Sequence, residues 1–151
     1  MIIVVRGTPA PQGSKRHVGG GRMIEMSKAV GPWREAVRSQ CQLRMEKSGL
    51  IPALDAVAVE IDFYMPRPKS TPKRVLWPAK RPDIDKLARA VLDGLTEGGA
   101  WLDDSQVVRL RVEKHYADAP YPPGCTIVIA PMHEERLPDD TPHNHPRRET
   151  A

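Results

Sequence analysis

Ile84, Leu87, Ala88, Val91, Leu92 and Leu95 return at steps of three and four, a spacing that only a helix turns into one continuous apolar stripe. It predicts an amphipathic helix of about four turns, starting after Pro82 and stopped by Gly98 and Gly99. A stripe of this width must be buried against another layer, and alternating stretches elsewhere supply that layer. Over residues 56–65, Val57, Val59, Ile61, Phe63 and Met65 point one way while Ala58, Glu60, Asp62 and Tyr64 point the other, as in a half-buried strand. Over 106–116, Val108, Leu110, Val112 and Tyr116 share one face, with Val107, Arg109, Arg111, Glu113 and His115 opposite. Residues 2–6 and 125–130 read as two further strands. A second helix is predicted over 32–47, its buried side made by Trp33, Ala36, Val37, Cys41 and Met45, with Gly49 as its stop. Trp33 reads as an anchor between that helix and the sheet, with base stacking as the alternative.

The order is strand, loop, helix, strand, basic loop, helix, strand, strand. The expected fold class is α+β: a single mixed four-stranded sheet packed by two main helices. A chain of 151 residues and 16.8 kDa suits one domain, expected over residues 1–131. Residues 132–151 lack periodicity and read as a flexible, solvated tail, its histidines a weaker candidate for metal. Apolar runs fall far short of the roughly 18 residues needed to cross a bilayer, and residues 1–5 lead directly into a strand, so a cytoplasmic protein without a membrane segment is expected. Cys41 and Cys125 have no second ligand at metal-site spacing and read as small buried hydrophobes.

A formal net charge of +4 permits a polyanionic partner without requiring one; its distribution is more informative. Residues 66–82 hold five prolines together with Arg67, Lys69, Lys73, Arg74, Lys80 and Arg81. This is a cationic surface loop delivered to the start of the helix that carries Asp83 and Asp85. Lys15 and Arg16 end a second glycine- and proline-rich loop. Both loops suit phosphate contact, though solvated cationic loops are common.

Asp83 and Asp85 flank the helix start, and Asp103 and Asp104 lie beyond its far end. Carboxylates that converge repel one another unless a cation neutralises them, and magnesium or manganese prefers such hard oxygen donors. Convergence of Asp83, Asp85 and Asp104 is plausible from the sequence if the returning strand packs beside the basic loop, but the spacing alone does not require it. The bland reading makes these residues a helix cap and a solvated turn. Lys86, Arg89 and Lys114 are cations suited to a negative transition state, and Lys86 can also carry a proton. Arg89 cannot, and its structural alternative is to pair with Asp85 and Asp93 at four-residue steps.

The stretch Arg81-Pro82-Asp83-Ile84-Asp85-Lys86-Leu87, followed by Leu92-Asp93-Gly94-Leu95 and Trp101-Leu102-Asp103-Asp104-Ser105-Gln106-Val107-Val108, resembles the RusA family of Holliday junction resolvases. The resemblance implies a homodimeric endonuclease that cuts four-way DNA junctions symmetrically with Mg2+ or Mn2+, in a bacterial cell or a phage-infected host. It makes Asp83, Asp85 and Asp104 the catalytic and metal-binding positions, with Lys86 and Arg89 as supporting catalytic cations. Where some relatives carry a lysine four residues after the second acid, this chain has Arg89, so proton transfer from that position is not expected. Lys15, Arg16, Lys69, Lys73, Arg74, Lys80, Arg81 and Lys114 are the expected DNA contacts. The rival functions are a nuclease for branched or duplex DNA without junction selectivity, and a noncatalytic DNA-binding protein. A protein-interaction module whose carboxylates only cap a helix is a third.

Overall fold

The computed structural model describes residues 1–13, 15–17, 23–25, 28–48 and 52–132. Strand β1 (Ile2–Arg6) precedes a short hairpin of β2 (Lys15–His17) and β3 (Met23–Glu25), then helix α1 (Val30–Ser48) and strand β4 (Val57–Met65). The basic loop leads to helix α2 (Ile84–Glu97), a single 3-10 turn (Asp104–Gln106), and strands β5 (Val107–Tyr116) and β6 (Gly124–Pro131). The main sheet has the order β1-β6-β4-β5. β6 lies antiparallel to both β1 and β4, whereas β4 and β5 are parallel, as they must be when α2 carries the chain back across the sheet. The α+β class, with two helices and one mixed four-stranded sheet, is as expected from the sequence.

Two expectations are corrected. The glycine- and proline-rich segment after β1 was expected to lack regular structure, but Lys15–His17 pairs with Met23–Glu25. The hairpin turn, Arg22, Gly49 and the tail after residue 132 lie outside the described residues. In β5 the expected alternation breaks at its start: Val57 pairs with Val107 but Ala58 pairs with Arg109. This bulge leaves Val107 in register with the core and turns Val108 out, 60 % exposed.

Ile3, Val5, Val57, Val59, Ile61, Phe63, Cys125 and Ile127 form the buried face of the sheet, against Trp33, Val37 and Cys41 of α1 and Leu87, Val91 and Leu95 of α2. Trp33 is 3 % exposed and belongs to this core, the anchor reading rather than the stacking one. Both cysteines are free and buried, and burial pushes the Cys41 thiol up to about 11, so neither offers a thiolate.

The helices meet through glycine. A Cβ on Gly94 would stand 2.9 Å from the Arg34 carbonyl oxygen and from Val37, and one on Gly98 would stand 2.7 Å from the Cys41 Cβ. Gly94→Val is therefore expected to force α1 and α2 apart and cost about 1–3 kcal/mol. A thermal melt should show it as a fall of roughly 2–12 °C; an unchanged midpoint would mean that the helices can separate freely.

Candidate active site

Asp83 occupies the N-cap position of α2 with extended backbone, yet its side chain makes no capping hydrogen bond. A capping role would use that bond. Instead its carboxylate lies 3.4 Å from the Lys86 ammonium. Asp85 stands in the first turn, where the helix dipole favours negative charge. Asp83, Asp85, Lys86 and Arg89 are all exposed, whereas Leu87, Ala88, Ala90 and Val91 between and beyond them are buried. The stripe that fixes α2 against the sheet thus fixes its polar side toward solvent. Among the described residues Arg89 has no carboxylate within 4.0 Å: Asp93 pairs with Arg34 of α1 at 3.9 Å and Glu97 with the same guanidinium at 3.4 Å. The alternative role, pairing of Arg89 within its own helix, is not made among the described residues, which leaves its charge available.

A cavity of about 690 Å³ opens beside Asp83, bordered by residues 8–13 after β1 and by Lys80, Arg81, Lys86 and Lys114. Gln12 lines it, 9 % exposed, with its backbone N–H donated to the Lys86 carbonyl at 2.9 Å and its side-chain oxygen without a partner among the described residues. The Lys114 ammonium donates to the carbonyls of Lys80 at 3.1 Å and Pro82 at 3.0 Å. It braces the approach to α2, with one N–H left to give.

The basic loop is anchored from below. Arg67 forks onto Asp118 at 2.7–3.2 Å, donates to the carbonyls of Pro72 and Val75, and lies 4.0 Å over the Tyr116 ring. Its donors are turned inward, so Arg67, counted in the sequence with the loop's cations, is a structural residue. Lys69, Lys73, Arg74, Lys80 and Arg81 are exposed, and none has a carboxylate within 4.0 Å among the described residues. The Arg67 hydrogen bond holds the Asp118 carboxyl below the usual carboxylate range, so the anchor is in place at neutral pH and is lost only as pH falls through that lowered value. Arg67→Met is expected to leave the fold intact but to free the loop. Limited trypsin digestion should then cut at Lys69, Lys73 or Arg74 much faster than in the parent, and equal rates would deny the anchor.

Asp104 is held as firmly, but elsewhere. Trp101 is buried, its indole N–H donating to Thr96 Oγ1 at 2.7 Å. Asp103 accepts from the Ser105 amide at 2.9 Å, while Gln106 Oε1 accepts from the amides of Leu102 and Asp103. Gln106 Nε2 donates to the carbonyls of Ala53 and Asp55. This reciprocal capping box makes Asp103 structural and leaves Asp104 exposed at the tip. The Ser105 hydrogen bonds also hold the Asp103 carboxyl below its ordinary range. Gln106 was not singled out in the sequence, although a Gln three residues after an Asp is a capping signal.

Asp104 precedes β5, whereas Asp83 sits beside Lys114 near the far end of that strand. Along α2, 14 residues long, the two ends lie ~20 Å apart at 1.5 Å per residue. The returning strand does pack beside the basic loop, but by its exit rather than its start. Within one chain Asp104 therefore does not meet Asp83 and Asp85. Among the described residues, the group of three possible ligand side chains with donor atoms within 4.8 Å of one another is Asp62, Glu113 and His115. It lies on the open face of the sheet, where β4 and β5 pair Asp62 with Glu113. His115 is 3.4 Å from each carboxylate, and Arg111 neutralises Glu113 at 2.6 Å and Glu60 at 3.6 Å. Arg111 is shared between Glu113 and Glu60, and Asp62 meets His115 alone within 4.0 Å among the described residues. The alternation of the two strands held the signal for this cluster.

Asp83 and Asp85 are hard oxygen donors on the polar side of one helix end, which suits magnesium or manganese, ions that accept one or two carboxylates and fill the rest of their shell with water and phosphate oxygens. No described helix is long and apolar enough to cross a membrane. A 35-residue stretch is 54 % identical to the crossover junction endodeoxyribonuclease RusA of Escherichia coli (strain K12), covering 23 % of this chain and 29 % of that protein. Enterobacteria phage 82 RusA matches to the same extent. The uncharacterized protein YqaN of Bacillus subtilis (strain 168) is 35 % identical over 74 residues, covering 42 % of this chain and 51 % of YqaN. The chain thus spans about half the length, or less, of these curated relatives. The family described as endodeoxyribonuclease RusA matches residues 6–129, nearly the whole of the described fold, and the chain belongs to the RusA family.

Proposed function

We propose that this protein is a metal-dependent, structure-selective endodeoxyribonuclease that resolves four-way (Holliday) DNA junctions by paired symmetric cuts, acting as a homodimer. The observation that carries the reading is that Asp83, at the N-cap, is not spent on capping but borders a cavity lined by Lys80, Arg81, Lys86 and Lys114, with Asp85 exposed in the first turn of the same helix. The family membership and the relatives named for crossover junction cleavage support the same substrate class. Mg2+, with Mn2+ as the alternative, is held by Asp83, Asp85 and Asp104; when bound it supplies charge neutralisation at phosphorus and lowers the pKa of a water. Lys86 and Arg89, on the same exposed side of α2, stabilise negative charge on the scissile phosphate. Lys69, Lys73, Arg74, Lys80 and Arg81, with Lys15, Arg16 and the remaining donor of Lys114, steer the backbone. Residues 1–131 are the catalytic domain, and the protein works where bacterial or phage DNA recombines, in the cytoplasm.

The separation of Asp104 from Asp83 and Asp85 supports the homodimer, since one site of three aspartates then needs two chains. β5 is an edge strand, ten residues long, and Val108 and Leu110 on it are 60 % and 45 % exposed. An unpaired edge of this kind is ready to add a strand. Antiparallel pairing of β5 with its own copy about a two-fold axis brings the start of one strand to the end of the other. Asp104 of one protomer then meets Asp83 and Asp85 of its partner, giving two equivalent centres for two symmetric cuts.

The test is cleavage of matched four-way, flap and linear duplex DNAs with Mg2+, Mn2+ or chelator. Paired cuts in the four-way DNA, with the ion and not with chelator, are expected. Equal cutting of all three would favour a nuclease without junction selectivity, and salt-sensitive binding without any cutting would favour a DNA-binding protein.

A further inference from the structure

We propose that the open face of the sheet carries a stacking platform for an unpaired nucleobase, built from Trp77, His115, Tyr64 and Tyr121; this rests on the reading of the protein as one that acts on DNA. Tyr64 and His115 are paired in register across β4 and β5, so their rings leave the sheet side by side, 5.7 Å apart at 30°. Tyr121 stacks on Tyr64 at 5.0 Å and 8°. Trp77 reaches over from the basic loop to lie 5.7 Å from His115. The two ends of this row, Trp77 and Tyr121, are 60 % and 55 % exposed.

A single exposed aromatic needs no explanation, but four rings in one row on a surface otherwise held by ion pairs do. Trp33 and Trp101 are buried at 3 % and 2 %, so Trp77 is the one indole of the three that the fold leaves in water.

Charge selects the occupant. Of the acids beside the row, Glu113 is paired with Arg111 and Asp118 with Arg67, while Asp62 lies 3.4 Å from His115 Nε2. Lys73, Arg74 and Lys80 of the Trp77 loop are exposed and have no carboxylate within 4.0 Å among the described residues. Aromatic faces flanked by unmatched cations are the recognition chemistry of single-stranded nucleic acid, in which the base stacks and the backbone is neutralised. A duplex keeps its bases stacked on each other, so only nucleotides unpaired at a branch can use the row. Lys80 borders both the cavity at Asp83 and a smaller pocket shared with Trp77 and Tyr116, which links the platform to the reacting end of α2. The row thereby adds a preference for branched DNA with unpaired bases.

The test uses the full chain in chelator, with its tryptophan fluorescence and short oligothymidylate as the probe. Binding is expected to quench the emission of the exposed Trp77. Trp77→Ala is expected to abolish the quench and weaken oligothymidylate binding about tenfold, with affinity for linear duplex changed less than about twofold; Trp77→Phe, which keeps a ring, is expected to retain most of the binding. Unchanged oligothymidylate affinity in Trp77→Ala, or an equal loss on duplex, would overturn the platform. So would a change of oligomeric state in sedimentation with oligothymidylate affinity intact, since the row would then be a subunit contact. Failure of the nuclease reading looks different: no DNA is cut with either ion, while the quench and its loss in Trp77→Ala persist.

Discussion

Asp85→Asn is expected to lower cleavage of a four-way junction by roughly a hundred- to a thousand-fold or more, the scale on which losing one preorganised charge-stabilising contact is felt. The substitution keeps the shape of the side chain and removes the charge on which the proposed ion binding depends. Asp85 is exposed and makes no hydrogen bond or ion pair among the described residues, so stability should stay within about 0.5 kcal/mol, as for other surface changes. Binding measured in chelator should be retained and slightly tighter, because a negative charge facing a polyanion has been removed. The combination matters more than the loss. A carboxylate that served only the helix dipole would lower the melting temperature a little and leave cleavage alone, and cleavage at the parent rate would refute the assigned chemistry.

Leu110→Arg is the second large effect. Leu110 pairs with Val59 and is therefore on the core-facing side of β5, yet it is 45 % exposed, because the two helices do not reach the sheet edge. A charge there should cost the folded monomer little. On the edge that a second chain would have to pair with, a long charged side chain opposes strand addition. Sedimentation should show the dimer converted to a monomer of 16.8 kDa, and cleavage should fall as far as with Asp85→Asn although all three aspartates are intact. A dimeric, active Leu110→Arg protein would mean that β5 is not the subunit contact.

The two helices and four strands could be read in the sequence because periodicity is a local property: the Ile84 to Leu95 stripe and the alternation from Val57 to Met65 become burial directly. The acidic motif was equally legible as a set of residue types. What was not legible was distance. Nothing in the spacing of Asp83 and Asp104 says that the turn bearing Asp104 returns to the sheet at the end remote from Asp83, since that depends on α2 and β5 running antiparallel side by side. The bulge at Val108 escaped for a similar reason, as it appears only when two strands are paired. Arg67 looked like its neighbours in a run of cations, and only its contacts with Asp118 and Tyr116 separate it from them. The short β2–β3 hairpin was hidden by the glycines and prolines around it.

Complementation is the most direct measurement of a centre shared between two chains. Asp85→Asn and Asp104→Asn proteins, each inactive alone, are mixed under conditions that allow subunit exchange and supplied with labelled four-way DNA and Mg2+. In the mixed dimer one centre carries both lesions and the other carries neither, so nicking of one strand per junction should return. If the mixture stays as inert as its components while exchange is demonstrated, the three aspartates do not act across the subunit boundary.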